Sequence, residues 1–219
     1  MKKILYGVYG ASGCGRGVMP LAREELQRLG IPLERLVFVD DNAARTVVNG
    51  HSVVRYEDFL AIPADERRAV IAVANGGVRS KLAARCADDG VGAWSIVAGN
   101  VVVMDDAAVG AGSILCPFVT LTSNIRVGKY FHANLYSYVE HDCTIGDYVT
   151  FAPGVKCNGN VFIEDFAYLG SGAVIKQGRP GMPLRIGRGA IVGMGAVVTK
   201  DVPAGATVVG NPARLMSKD

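Results

Sequence analysis

The stretch LTSNIRVGKYFHANLYSYVEHDCTIG, residues 121–146, has an apolar side chain at every sixth position: Leu121, Val127, Ala133, Val139 and Ile145. The beat runs back through Leu115 and Val109 to Val103. It runs forward through Phe151, Cys157, Ile163 and Leu169 to Ile175. After an insertion around 177–183 it resumes at Ile186, Val192 and Val198. A Gly follows Val109, Val127 and Ile145, a spacing of eighteen. A helix needs apolar residues at i, i+3, i+4 and i+7, and a half-buried strand alternates at two and then stops. A sustained six fits neither. It predicts a parallel β-helix with three short strands per eighteen-residue coil and one apolar side chain per strand pointing into the prism. Stacked coils then rise by about 4.8 Å, the inter-strand spacing. Residues two before the beat are small or apolar (Ala107, Ser113, Ser137, Cys143, Ala167, Ala173, Ala190, Ala196), as a narrow interior requires near its corners. No coil buries a core alone, so stability comes from stacking.

The 219 residues, half of them apolar, suffice for one large or two modest domains. A net charge of +3 without a basic tract gives no sign of nucleic-acid binding. The opening run around Ile4 to Tyr6 is too short for a signal peptide and reads as a first strand. No stretch is long enough to span a bilayer. The five cysteines, Cys14, Cys86, Cys116, Cys143 and Cys157, are scattered and form no CxxC pair. Cys157 sits on the beat and Cys143 two residues before one, which suits core packing. Reduced thiols in a cytoplasmic protein are the simplest reading.

Residues 1–97 have a different character. Ile4 to Tyr9 reads as a strand, Gly10-Ala11-Ser12-Gly13-Cys14-Gly15 as a glycine turn and Val18 to Leu29 as a helix. Leu36 to Val39 is a second strand ending in Asp40-Asp41. Ala69 to Ala74 is a buried strand, and Val78 to Asp88 a helix. This is a βαβ pattern with a parallel sheet. The turn spacing is GxxGxG, not the GxGxxG of dinucleotide binders. Glycines there let backbone N–H groups approach a phosphate at a helix N-terminus, and a plain strand-to-helix turn would use them equally. Asp40 and Asp41 stand at the strand edge that faces the ligand crevice in doubly wound sheets, or serve as turn residues.

Of three histidines, His51 is expected on an N-terminal loop and His132 on the outer surface of the repeat. His141 lies beside Asp142 between Val139 and Ile145, so both polar residues face outward or sit at a coil corner. Neighbours in an extended strand point apart, so a His–Asp pair requires a corner. A three-His zinc site of the γ-carbonic anhydrase type lacks a ligand, since the repeat holds only two His. No metal is expected.

The repeat resembles the hexapeptide-repeat acyltransferases. With Tyr-Gly-Ala-Ser-Gly (9–13), Val-Asp-Asp (39–41) and Ala-Val-Ala-Asn-Gly-Gly-Val-Arg (72–79), nearly the whole chain resembles the bacterial N-acetyltransferases of nucleotide-linked 4-amino-6-deoxy sugars of bacillosamine and perosamine pathways. Sialic-acid O-acetyltransferases share the layout and supply the alternative reading. The resemblance implies a Rossmann-like nucleotide-sugar-binding domain (1–97) and a left-handed β-helix with a C-terminal tail (98–219). It also implies acetyl-CoA as cosubstrate, a homotrimer with sites between subunits, and a role in lipopolysaccharide or other surface glycan biosynthesis. It places Gly10, Ser12, Gly13, Asp40, Asp41, Asn75 and Arg79 near nucleotide or diphosphate, with uridine favoured over thymidine and guanosine. It makes His141 the base that takes the amine proton, Asp142 its orienting acid and Asn134 a polar contact to substrate. Gly159 corresponds to a backbone amide that meets the thioester carbonyl, with Cys157 and Asn158 beside it. Gly170, Ser171 and Gly172 form a smooth wall for pantetheine, and Lys200 and Arg214 lie near phosphate. Some members carry a second His where Thr150 stands, and some a His where Cys14 stands. A non-enzymatic scaffold would not need the His–Asp pair or Gly159.

Overall fold

The computed structural model describes residues 2–42 and 44–216. The chain divides into two compact units, Met1–Ile96 and Val97–Asp219.

The first unit contains β1 (Ile4–Tyr9), α1 (Gly13–Arg28), β2 (Leu36–Val39), β3 (Val47–Val48), β4 (His51–Val54), α2 (Tyr56–Ala61), β5 (Glu66–Ile71), α3 (Gly76–Asp88) and β6 (Gly92–Ala93). They form one sheet of order β3-β4-β2-β1-β5-β6. All neighbours are parallel except β3 and β4, a hairpin turned by Asn49-Gly50 with φ of 48° and 80°, the left-handed pair such turns require. The central strands are buried along nearly their whole length, as parallel strands covered on both faces must be. Helix α1 begins at Gly13 rather than Val18, because the glycine turn supplies its first turn. Strand β5 begins at Glu66, before the expected Ala69. The charged Glu66-Arg67-Arg68 conceals this start from a hydropathy reading, while Arg67 reaches the carbonyls of Phe59 and Ile62. His51 opens strand β4 rather than lying on a loop, with its ring edge-on to Phe38.

The second unit is a parallel β-helix. Strands of two or three residues recur every six residues and stack into three sheets. The register advances by eighteen, as in Thr120↔Tyr138 and Tyr138↔Lys156. Across the insertion it advances by twenty-three, as in Val174↔Val197. The added residues leave the coil as a loop closed by a bridge between Arg179 and Met182. Beat positions from Leu115 to Val198 are buried. Val103 and Val109 are exposed, at 47% and 37%, because their strands stand at the ends of their sheets.

Each sheet hands over to the next through a residue at positive φ, and these also recur every six residues. One corner column is Asp106, Asn124, Asp142 and Asn160. A second is Gly112, Tyr130, Tyr148, Phe166 and Gly189. The third is Phe118, Tyr136, Gly154, Gly172 and Gly195. Asn and Asp tolerate this conformation better than other side-chain-bearing residues. Aromatic residues do not, and here they stack: Tyr130 on Tyr148 and Tyr148 on Phe166 at 5.2 Å, Phe118 on Tyr136 at 4.8 Å. Left-handed backbone costs about 1–2 kcal/mol per residue, and an aromatic pair returns about 0.5–1.5 kcal/mol. The stacks therefore offset much of the corner strain.

Inside the prism Phe151 is fully buried and meets Phe131 of the adjoining coil edge-on at 5.1 Å. Phe151→Ala should destabilise the protein by about 3–5 kcal/mol, measured by denaturant unfolding. A loss below 1 kcal/mol would show that the interior is not tightly packed.

Candidate active site

His141 follows the strand Tyr138–Val139 and opens the Asx corner. Asp142 takes φ of +60°, which folds its carboxylate back toward its neighbour. Asp142 Oδ2 lies 2.7 Å from His141 Nδ1, and both side chains are about half exposed. That bond, more than any other influence, raises the pKa of His141. Asp142 is held below the usual carboxylate value by His141 and then by Asn124, whose Nδ2 donates to Oδ1 at 3.2 Å. With Nδ1 on Asp142, Nε2 is the nitrogen left for chemistry.

One coil further, Gly159 stands in the same column. A Cβ there would lie 2.6 Å from both Cε1 and Nε2 of His141, so only glycine leaves room for the ring. Among the described residues, the Gly159 N–H meets no acceptor. The imidazole thus packs against the bare α-carbon of Gly159, whose backbone donor is unused. The register carries this column past Gln177 to Lys200. Lys200 lines a cavity of about 570 Å³ with Arg214, Thr199 and Pro203.

Other expected residues are placed differently. Asn134 is half-buried and donates through Nδ2 to the Phe151 carbonyl at 2.7 Å. It sits at the aromatic corner, on the other side of the Tyr138–Val139 strand from His141, and the chain does not bring the two together. Gly170, Ser171 and Gly172 follow in the column of Asn134, with Gly170 buried and the other two exposed. Cys157 is fully buried in the prism, so its thiol offers nothing to a ligand outside; the beat that marks it also points it inward. Asn158 is half-buried between the Tyr138 hydroxyl (2.9 Å) and the Ile175 carbonyl (2.8 Å). His132 is buried rather than superficial, in register with Thr150 of the next coil.

In the first unit, both oxygens of Asp40 accept backbone N–H groups, of Ala11 and Asn42, each at 2.9 Å. Asp40 thereby ties the glycine turn to the end of β2. Gly10 has φ of +108°, and a Cβ on Gly15 would strike the Gly10 carbonyl oxygen. Both glycines are required by the turn itself. Asp41 is committed internally: it accepts from the Tyr56 N–H (2.9 Å), the Tyr9 hydroxyl (3.1 Å) and Arg85 (2.9 Å). Burial pulls its pKa up, and these bonds outweigh burial to bring it down. Asn75 caps α3 by accepting from the Val78 N–H at 3.0 Å. Arg79 is fully buried and donates to the carbonyls of Val73 and Ala74. It braces the loop before α3 and does not present its guanidinium to an outside phosphate. A cavity of about 470 Å³ opens at the ends of β1 and β2, lined by Ala11, Ser12, Arg16, Asp40 and Arg45 among others. Gly13 follows Ser12 as the first residue of α1. Arg16 and Arg45 escaped the sequence reading; the signal was Arg16 directly after Gly15, in the first turn of the helix.

Among the described residues no cluster of three or more His, Cys, Asp or Glu could hold a metal, and no helix is long and apolar enough to cross a membrane.

No family model matches the chain. It is 51% identical over 214 residues to the GDP-perosamine N-acetyltransferase of Escherichia coli O157:H7, covering 98% of this chain and 97% of that one. Among solved structures, WeeI from Acinetobacter baumannii AYE is 58% identical with a TM-score of 0.95, over 97% of this chain and all of that one. The acetyltransferase domain of PglB from Neisseria gonorrhoeae FA1090, in complex with acetyl coenzyme A, is 27% identical with a TM-score of 0.83, over 99% and 100% of the two chains.

Because the ring and Gly159 share one space, Gly159→Ala should push His141 off Asp142 while leaving the coil intact. His141, followed by NMR titration, should then titrate near its ordinary 6.5 rather than above it. An unmoved titration would show that the two residues do not touch.

Proposed function

Since the chain belongs to the hexapeptide-repeat N-acetyltransferases of nucleotide-linked amino sugars, we propose that its acceptor is the 4-amino group of a GDP-linked perosamine. It is an acetyl-CoA-dependent N-acetyltransferase. The full-length relative that acts on GDP-perosamine favours guanosine over the uridine expected from the sequence. The coil is read as left-handed, the assembly as a homotrimer and the biological role as surface glycan biosynthesis, in keeping with an acetyltransferase of this fold.

The observation that carries the catalytic reading is the His141–Asp142 pair, with bare Gly159 against the ring. His141 Nε2 takes the proton that the amine sheds as its lone pair attacks the thioester carbonyl. A positioned general base of this kind contributes about 10²–10⁴-fold. Asp142 fixes Nδ1 as the protonated nitrogen and favours the imidazolium that forms. The Gly159 N–H receives the carbonyl oxygen as it becomes negative, a contribution of about 10²–10³-fold. The tetrahedral intermediate then expels the thiolate of CoA, which takes its proton from the imidazolium. The CoA arm runs along the His141 column from Gly159 toward Lys200 and Arg214. Asn134 and the Gly170–Gly172 turn lie on a different corner, so they complete the site from a second copy. The cavity with Arg16 and Arg45 receives the nucleotide diphosphate.

Catalysis needs neutral imidazole, and Asp142 raises the pKa of His141. The acid limb of turnover should therefore lie above pH 6.5, the ordinary histidine value. His141→Asn should lower turnover by about 10²–10⁴-fold at neutral pH, and by less at high pH, where hydroxide can take the proton that the attacking amine sheds. Thiol release with a GDP-linked 4-amino sugar measures both, and unchanged turnover across pH would remove His141 as base. Arg16→Glu should raise KM for the nucleotide sugar by about tenfold or more, the worth of one charge-assisted hydrogen bond. The KM for acetyl-CoA should stay as it is, and equal changes in both would place Arg16 outside the nucleotide site.

A further inference from the structure

We propose that Asn124 is a positioning residue for the acetyl transfer, holding Asp142 so that Asp142 can hold His141. The inference rests on the catalytic reading above. Asn124 occupies the Asx corner one coil before Asp142, at φ of 59° against 60°. Its Nδ2 donates to Asp142 Oδ1 at 3.2 Å, while Asp142 Oδ2 faces His141 Nδ1 at 2.7 Å. Each carboxylate oxygen therefore has its own donor. Two donors fix the plane of the carboxylate, whereas one would leave it to rotate about χ2. An exposed carboxylate needs such a second point, because water competes for it and an exposed pair alone is weak. The backbone adds what the side chains lack: Asp142 N–H donates to the Ser123 carbonyl at 3.2 Å, and Asn160 N–H to the His141 carbonyl at 2.9 Å. The peptide of residues 141–142 is thus held from both neighbouring coils, and Asn124 extends that hold to the carboxylate.

The residue type is specific. Asp at 124 would present an acceptor to an acceptor and repel Asp142. Most other side chains would be strained at positive φ. Asp142, Glu140 and Cys143 from the same coil are the titratable groups that act on His141. The flanking coils face it with Ser123 and Asn124 on one side and Asn158, Gly159 and Asn160 on the other, none of which titrates.

Asn124→Gly tests the proposal, because glycine accepts the corner conformation and removes only the donor. Its effect is read in two ways, beside Asp142→Asn and the double variant. NMR titration of His141 reports the relay independently of catalysis. The pKa should fall toward 6.5 in Asn124→Gly and in Asp142→Asn, and no further in the double variant. Turnover should fall roughly tenfold in Asn124→Gly, as a modest misplacement of a catalytic group implies, with KM for both substrates kept and the acid limb moved to lower pH. Adding Asn124→Gly to Asp142→Asn should cost nothing more. Asn124→Asp should not restore the donor's effect. An unchanged or raised His141 titration in Asn124→Gly, or losses that simply add in the double variant, would overturn the role of Asn124. A lowered titration with turnover intact in all three variants would instead overturn His141 as base, and with it any part for Asn124 in the reaction.

Discussion

Every sixth residue of the repeat has to turn the chain through positive φ, and what stands at those corners governs both stacking and chemistry. The prism is filled by the beat side chains and by those two residues before them, nearly all apolar, which leaves the chemistry to the outside. The strands are two or three residues long and their outward side chains point away from one another. Only a corner can bring adjacent side chains together. His141 and Asp142 are adjacent, and they meet because Asp142 is a corner residue.

The three corner columns answer the same strain differently. The aromatic columns stack ring on ring and stop where glycine takes over, as at Gly154 after Tyr136. Arg188 closes one stack, lying 4.7 Å over Phe166 while pairing with Asp165. The Asx column instead uses side-chain hydrogen bonds between coils. Asp106 binds Arg126, and Asn124 binds Asp142. At this corner side chains of successive coils thus bond to one another, and the column also holds the histidine. The proposed chemistry and the corner geometry have a common cause.

Much of this was legible in the sequence. The beat that marks Leu121, Val139 and Cys157 fixes which residues face inward, because a period of six has no other regular solution. It also foretold that a His141–Asp142 pair requires a corner. It could not foretell which polar residues their neighbours would use up. Asp41 and Arg79 read as ligand-facing because they follow strand ends, yet Asp41 is held by Tyr9, Tyr56 and Arg85, and Arg79 by loop carbonyls. Such bonds join residues far apart in sequence and leave no local pattern. Cys157 is expected beside the cofactor from the resemblance, yet its own place on the beat buries it. Asn124 does have a local signal: Asp106, Asn124, Asp142 and Asn160 repeat at eighteen, the spacing of one coil.

The central claim is that the corner aims the His141 ring at the reacting amine and the Gly159 N–H at the thioester oxygen. The most direct measurement is a crystal structure of the full-length assembly with CoA and a GDP-linked 4-amino sugar. The account predicts the sugar amine within hydrogen-bond distance of His141 Nε2, the CoA sulfur beside Gly159, and Asn134 of a neighbouring copy facing the same cleft. An amine lying against some other side chain, with the His141 ring turned to open solvent, would contradict it.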